Sequence, residues 1–137
     1  MRAVIDANVF VSASFGEDGP PVQVVRRAIG GELEYVVCPR LLGEIRATLA
    51  RPYFVSRLSP SEAAAFIELI ATSGTVADDP VAPPARSRDP KDDYLLALAE
   101  STRSVLVTGD RDLLALRDRF PVWTPAQLVS ALDAAGA

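Results

Sequence analysis

The residues best equipped for chemistry in this chain are acids. Asp6, Glu44, Asp92 and Asp110 stand at the edges of apolar runs, with Asp89 and Asp112 in reserve. There is no histidine among the 137 residues, which excludes imidazole-ligated zinc as well as Ser-His-Asp and Cys-His catalysis. The one cysteine, Cys38, closes the apolar run Tyr35-Val36-Val37 and has no intrachain partner for a disulfide. Several carboxylates brought together cannot all stay ionised cheaply unless a cation joins them. A hard divalent ion with oxygen ligands, Mg²⁺ or Mn²⁺, is the natural resolution. Such an ion activates water and stabilises charge on a transferring phosphoryl group, so no basic side chain is needed to take the proton.

Each acid also has a plainer reading. Asp89, directly before Pro90, has the position of a helix cap, and Asp92 three residues later fits a capping pair. Asp110 can end a strand and cap the helix that starts near Asp112. Asp6-Ala7-Asn8 reads as a side-chain-supported turn, and Glu44 as a solvated residue beside the arc Leu41, Ile45, Leu49. The joint placement of the acids, rather than any one of them, points to a metal site. Around them, Asn8, Ser12, Ser14 and Thr108 are polar groups that could hold a phosphate, a carboxylate or water. Arg40, Arg46, Arg86 and Arg88 could meet a phosphate backbone or be ordinary surface charges. Trp123 reads as packing, and neither a GxxxxGK[ST] nor a GxGxxG loop occurs.

The elements that must position these groups follow from short apolar runs separated by helical periodicity. Ala3–Ile5, Leu33–Cys38, Val105–Val107 and Val122-Trp123 read as strands, with a brief one at Thr75–Ala77. Gly16–Pro21 is a cluster of breakers. Val22, Val25, Arg26 and Ile29 then keep a helical spacing that Gly30-Gly31 stops. Pro39 opens a helix that Arg51-Pro52 ends. Ser59-Pro60-Ser61-Glu62 starts the next helix, with a cap, a first-turn proline and an acid three residues on; Gly74 stops it. Ala77–Arg88 is an irregular loop. Helices then begin near Asp89-Pro90, near Asp112 and at Thr124-Pro125.

Strands alternating with helices predict an α/β fold in three α/β/α layers, with a parallel sheet covered on both faces. The length predicts one domain over 1–137. Asp6 follows the first strand and Asp110 lies just past a later one. If those strands are central neighbours, both acids face one cleft outside the carboxyl ends of the sheet. Acids outnumber bases 18 to 14, so no global basic field draws polyanions, although a local patch or bound metal can reverse the sign. Met1–Asp6 lacks a signal-like apolar segment and no run of 18 apolar residues occurs, so the expectation is a cytoplasmic protein with no membrane contact.

Taken in order, three pieces of the chain resemble the PIN-domain family, in particular its VapC-like toxin branch. They are Val4-Ile5-Asp6-Ala7-Asn8-Val9-Phe10-Val11-Ser12-Ala13, then Pro39-Arg40-Leu41-Leu42-Gly43-Glu44-Ile45, and then Arg88-Asp89-Pro90-Lys91-Asp92-Asp93-Tyr94-Leu95-Leu96-Ala97-Leu98-Ala99 followed by Val107-Thr108-Gly109-Asp110-Arg111-Asp112-Leu113-Leu114. The resemblance implies a sheet of order 3-2-1-4-5 and a ribonuclease site dependent on Mg²⁺ or Mn²⁺. Asp6, Glu44, Asp92 and Asp110 match the family's acids, with Asp89 and Asp93 as alternatives for the third. Asp112 matches an additional ligand or outer group, and Asn8 and Thr108 supporting polar positions, beside which Ser12 stands as a polar candidate on its place after Asp6. The same resemblance implies an RNA substrate, a small antitoxin partner and a homodimer. The helices between Pro39 and Ser73, with Tyr53, Phe54 and Val55 between them, offer a contact surface. A non-catalytic RNA- or protein-binding module, a housekeeping RNA-processing enzyme and a DNA nuclease are the alternatives.

Overall fold

The computed structural model describes residues 1–15 and 18–136. Its centre is a five-stranded parallel sheet in the order β3-β2-β1-β4-β5, the order the resemblance implies. The strands are β1 (Arg2–Ile5), β2 (Glu34–Val37), β3 (Thr75–Val76), β4 (Val105–Val107) and β5 (Val122–Trp123). Ala3, Val4, Ile5, Tyr35, Val36, Val37, Leu106 and Val107 are all buried, as strands covered on both faces require. Strand order reverses at β1, which has β2 on one side and β4 on the other. The register sets Ile5 beside Val107, and the Asp6 amide bonds the Val107 carbonyl at 2.9 Å. The first residues past these two strands, Asp6 and Thr108, are therefore neighbours.

The helices are α1 (Ala7–Ala13), α2 (Pro20–Ile29), α3 (Pro39–Leu49), α4 (Pro52–Val55), α5 (Pro60–Ser73), α6 (Asp93–Ser101), α7 (Arg111–Leu114) and α8 (Pro125–Gly136). They cover both faces of the sheet, and α6 lies directly on β1 and β4. Local sequence explains most boundaries. Ser59 and Glu62 form the reciprocal capping box at the start of α5, each side chain holding the other's backbone N–H at 3.1 Å. Thr124 and Gln127 repeat that device ahead of α8. Gly74 ends α5 in extended backbone, and what requires a glycine there is packing: a Cβ would sit 2.5 Å from the Tyr35 ring. Gly109, by contrast, has open space around it and no positive φ, so the turn after β4 does not depend on it.

Two short helices depart from the sequence expectations. The turn expected at Asp6-Ala7-Asn8 is the start of α1. Its Val9, Phe10 and Val11 favour strands on local propensity, but burying Ala7, Val9, Phe10 and Val11 outweighs that preference. Likewise Pro52–Val55 is a single helical turn rather than a plain connection. Of the expected breaker cluster Gly16–Pro21, Gly16 and Glu17 lie outside the described residues, and the chain is helical from Pro20.

Candidate active site

Asp6, Glu44, Asp92 and Asp110 line one cavity of about 380 Å³ at the carboxyl edge of the sheet, where strand order reverses. Ligands of open parallel sheets bind at such a switch point. Asn8, Thr48, Arg51, Asp89 and Lys91 complete the charged and polar part of its wall. Asp6 is buried at the end of β1, and its Oδ2 accepts a 2.8 Å hydrogen bond from the Thr108 hydroxyl. The same Thr108 oxygen accepts the Asp110 amide at 3.0 Å. One fully buried threonine thus ties together acids from two strands.

Glu44 reaches the cavity from α3. Tyr94, buried on α6, donates a 2.8 Å hydrogen bond to Glu44 Oε2, and the Arg40 guanidinium covers the Tyr94 ring at 4.3 Å. Three acids lie close together in the sequence between Pro84 and Tyr94, and they have three different surroundings. Asp89 caps the 3₁₀ turn Pro90–Asp92 by accepting the Lys91 amide at 3.0 Å. Asp93 turns into the preceding loop, where its Oδ1 accepts from the Arg86 and Ser87 amides and the Ser87 hydroxyl. Asp92 makes no capping bond and borders the cavity. The expected pairing of Asp89 with Asp92 as a reciprocal cap is therefore absent.

Electrostatics bear out the crowding. Burial, then the like charges of Asp6, Asp110, Asp89 and Glu44, push the Asp92 carboxyl up to about 6. Burial also raises Asp6, against the Thr108 bond that lowers it, with the Asp110 charge adding to the rise. Glu44 is raised by burial and by the Asp6 charge, with the Tyr94 bond pulling the other way. Asp93 moves the opposite way: its burial is outweighed by the hydrogen bonds from Ser87 and Arg86, and its carboxyl lies below the usual range. Three of the cavity acids therefore hold their negative charge at a cost that a cation would relieve.

Among the described residues, no three of these side chains stand close enough together to hold a metal ion directly. Tyr94 holds Glu44 and Thr108 holds Asp6, each by its own hydrogen bond, so the cavity is an acidic cleft rather than a closed cage. Its donors are all oxygens, which fits a hard divalent ion that keeps several waters and is gripped by one or two carboxylates.

The other sequence candidates lie elsewhere. Asp112 is exposed, 3.9 Å from Arg88. Ser12 lines a separate cavity. Arg86 pairs with Glu100, while Arg46 borders an apolar groove between α3 and α5. Cys38 is buried beneath α3, which pushes its thiol up to about 11 and makes it a poor nucleophile. Trp123 packs against the core, as expected. Sequence reasoning gave no site role to Arg51, Lys91 or Tyr94. The only available signal for Tyr94 is an aromatic residue at the start of the Leu- and Ala-rich run Leu95–Ala99.

An α/β sheet with an acidic cleft at its switch point defines the class of protein, and comparison with known proteins narrows it. The signature of the PIN domain matches residues 2–112, and the chain belongs to that family, whose members are generally nucleases. A protein of Methanocaldococcus jannaschii, MJ1680, is 27% identical over 118 residues, covering 86% of this chain and 76% of its own length. Among solved structures, PAE2754 from Pyrobaculum aerophilum matches with a TM-score of 0.70 at 20% identity, over 98% of this chain and 90% of that one. VapBC2 from Rickettsia felis, solved bound to a DNA fragment from its promoter, matches with a TM-score of 0.60 at 10% identity, over 90% and 98%. At these identities the two structures share the fold. Among the described residues no helix is long and apolar enough to cross a membrane.

Proposed function

We propose that this chain is an endoribonuclease that hydrolyses RNA phosphodiester bonds with Mg²⁺ or Mn²⁺ and serves as the toxin of a toxin–antitoxin pair. The observation that carries this reading is the meeting of Asp6, Glu44, Asp92 and Asp110 on the walls of one cleft, three of them with raised pKa. In it, Asp6, Asp92 and Asp110 grip the ion directly or through water, and Glu44 completes the acidic set. When bound, the ion supplies a Lewis acid for the phosphoryl oxygens and a stronger nucleophile from water. Thr108 keeps Asp6 and Asp110 in register, and Tyr94 holds Glu44 against the α6 side of the cleft. Arg51 and Lys91, the two cations on the cavity wall, meet the phosphates flanking the scissile one.

Membership of the PIN family supports nuclease chemistry, and the likeness in fold to VapBC2 motivates the toxin role with a small antitoxin; the homodimer rests on the resemblance to the family alone. The test is cleavage of structured and single-stranded RNAs with Mg²⁺, with Mn²⁺ and with EDTA, beside flapped DNA and small phosphate esters. RNA should be cut only with metal, and Asp6→Asn and Asp110→Asn should be inactive. Full activity in both variants would overturn the mechanism.

A further inference from the structure

A second cavity, of about 660 Å³, is lined by Ser12, Ser14, Phe15, Tyr53 and Arg57, with Leu58 and Glu62 completing its wall. Two segments connect the cavities. Asn8, on the cleft wall, and Ser12, in the second cavity, are exposed residues one turn apart on α1. Arg51, on the cleft wall, is two residues from Tyr53. One turn of helix advances about 6 Å, which matches one to two nucleotides at about 3.4 Å per stacked step.

The lining of this cavity has the chemistry of a nucleotide. Tyr53 is 59% exposed, yet its ring is fixed from below. It meets Phe54 edge-on at 5.0 Å, and Phe54 in turn stacks on Phe15 at 5.3 Å. The Arg57 guanidinium lies 3.9 Å over the Tyr53 ring and is held there by a 2.9 Å bond to the Tyr53 carbonyl. Among the described residues Arg57 has no ion pair, and Glu62, the one acid on the described wall of the cavity, turns its carboxylate to the Ser59 amide. An exposed aromatic ring held by its neighbours, beside hydroxyls and a guanidinium that has no ion pair among the described residues, suits a base, a sugar and a phosphate. The groove bordered by Leu49, Val55, Ala63 and Ile67 is a different, apolar surface, with the composition that suits a protein helix.

We infer that the Tyr53–Arg57 cavity is a substrate subsite that takes an unpaired base of single-stranded RNA one or two nucleotides from the bond being cut. The base stacks on the Tyr53 face that Arg57 leaves open, and Arg57 meets a neighbouring phosphate. The inference rests on the ribonuclease reading for its substrate, and its test separates the two.

Binding of a fluorescent single-stranded RNA hexamer is measured by anisotropy on the full chain carrying Asp110→Asn, so that no cleavage intervenes. Cleavage by the otherwise unaltered chain is followed in parallel. Tyr53→Ala should bind about tenfold more weakly and raise KM with kcat unchanged, while Tyr53→Phe binds as the parent does. Arg57→Gln should weaken binding and flatten its salt dependence. A hexamer with one abasic position at the subsite should lose the same tenfold on the parent chain and lose nothing more on Tyr53→Ala. That arm decides the matter even if Tyr53→Ala melts at a lower temperature. Equal binding of the intact and abasic hexamers by the parent overturns the inference, as does a Tyr53→Ala chain that binds RNA normally but has lost a protein partner. Tyr53-dependent binding without any cleavage by the parent would overturn the nuclease reading and leave the subsite standing.

Discussion

The Tyr94 hydroxyl and the Glu44 carboxylate, 50 residues apart in sequence, meet at 2.8 Å across the seam between α3 and α6. Tyr94 is buried, and Arg40 roofs its ring, so the donor has little freedom to turn elsewhere. The bond fixes which way Glu44 faces and opposes the rise that burial imposes on its carboxyl. Tyr94→Phe removes one oxygen and nothing else. It should lower kcat about tenfold, the effect of roughly 1.4 kcal/mol, and raise the Mg²⁺ concentration needed for half-maximal rate. Without the bond Glu44 rises further, so the acid limb of the pH–rate profile should move to higher pH. A variant that melts lower but keeps the parent's Mg²⁺ dependence and pH limb would reduce Tyr94 to a packing residue.

How far such relationships can be read from sequence depends on their range. Pro39, the Ser59–Glu62 box and the apolar strands declare themselves within a few residues, and the structure agrees with them closely. α1 was hidden because its Val9, Phe10 and Val11 speak locally for a strand, and only burial against the rest of the core makes them helical. The acids at 89, 92 and 93 were indistinguishable by spacing, since each stands at a position that can cap or ligate. The Lys91 amide and the Arg86–Ser87 loop separate them, and the latter depends on how an irregular proline-rich segment folds back. Arg51 reaches the cleft, and Tyr94 reaches Glu44, only through tertiary packing, so no local pattern marks them.

Thr108 offers the sharpest test of how the two strand-end acids are coupled. Its hydroxyl donates to Asp6 and accepts from the Asp110 amide, and the residue is fully buried. Thr108→Val keeps the shape but takes the hydroxyl from a buried carboxylate, leaving it the Ala7 and Asn8 amides, and removes the acceptor of the Asp110 N–H, which costs about 2 kcal/mol of stability. Thr108→Ser keeps both bonds. Urea unfolding should therefore show a lower midpoint for Val than for Ser, and cleavage should fall steeply in Val alone. Equal activity in the two variants would mean that the hydroxyl does not organise the site.

Asp92 makes stability depend on pH in a direction opposite to that of most carboxylates. Its folded value of about 6 lies above the ordinary 3.8, so the fold favours its protonated form. The stability it contributes is complete below 3.8 and is lost as pH rises through 6. Without divalent ions, Asp92→Asn should then be more stable than the parent at pH 7.5, by about 1 kcal/mol once the group's solvent exposure is allowed for. Towards pH 4 the two should converge. Added Mg²⁺ should raise the melting temperature of the parent at pH 7.5 more than that of the variant. Parallel melting curves from pH 4 to 7.5 would show that the acids do not strain one another.

Away from the cleft, the end of α6 stores strain that a single substitution should release. Arg103 follows the helix with φ at +53°, where a side chain crowds its own backbone, while the Ser104 amide closes the end onto the Ala99 carbonyl at 2.8 Å. Helices that end this way usually place glycine at that position. The Arg103 side chain is exposed and takes no part in any ion pair among the described residues, so little packing is given up by removing it. Arg103→Gly should stabilise the protein by about 1 kcal/mol, seen as a higher urea midpoint with unchanged slope. Because α6 also carries Tyr94 and begins at Asp93, beside Asp92, the variant further reports whether the site tolerates a firmer helix end. RNA cleavage should remain at the parent's rate, and a loss of activity with gained stability would show that the site relies on give in α6.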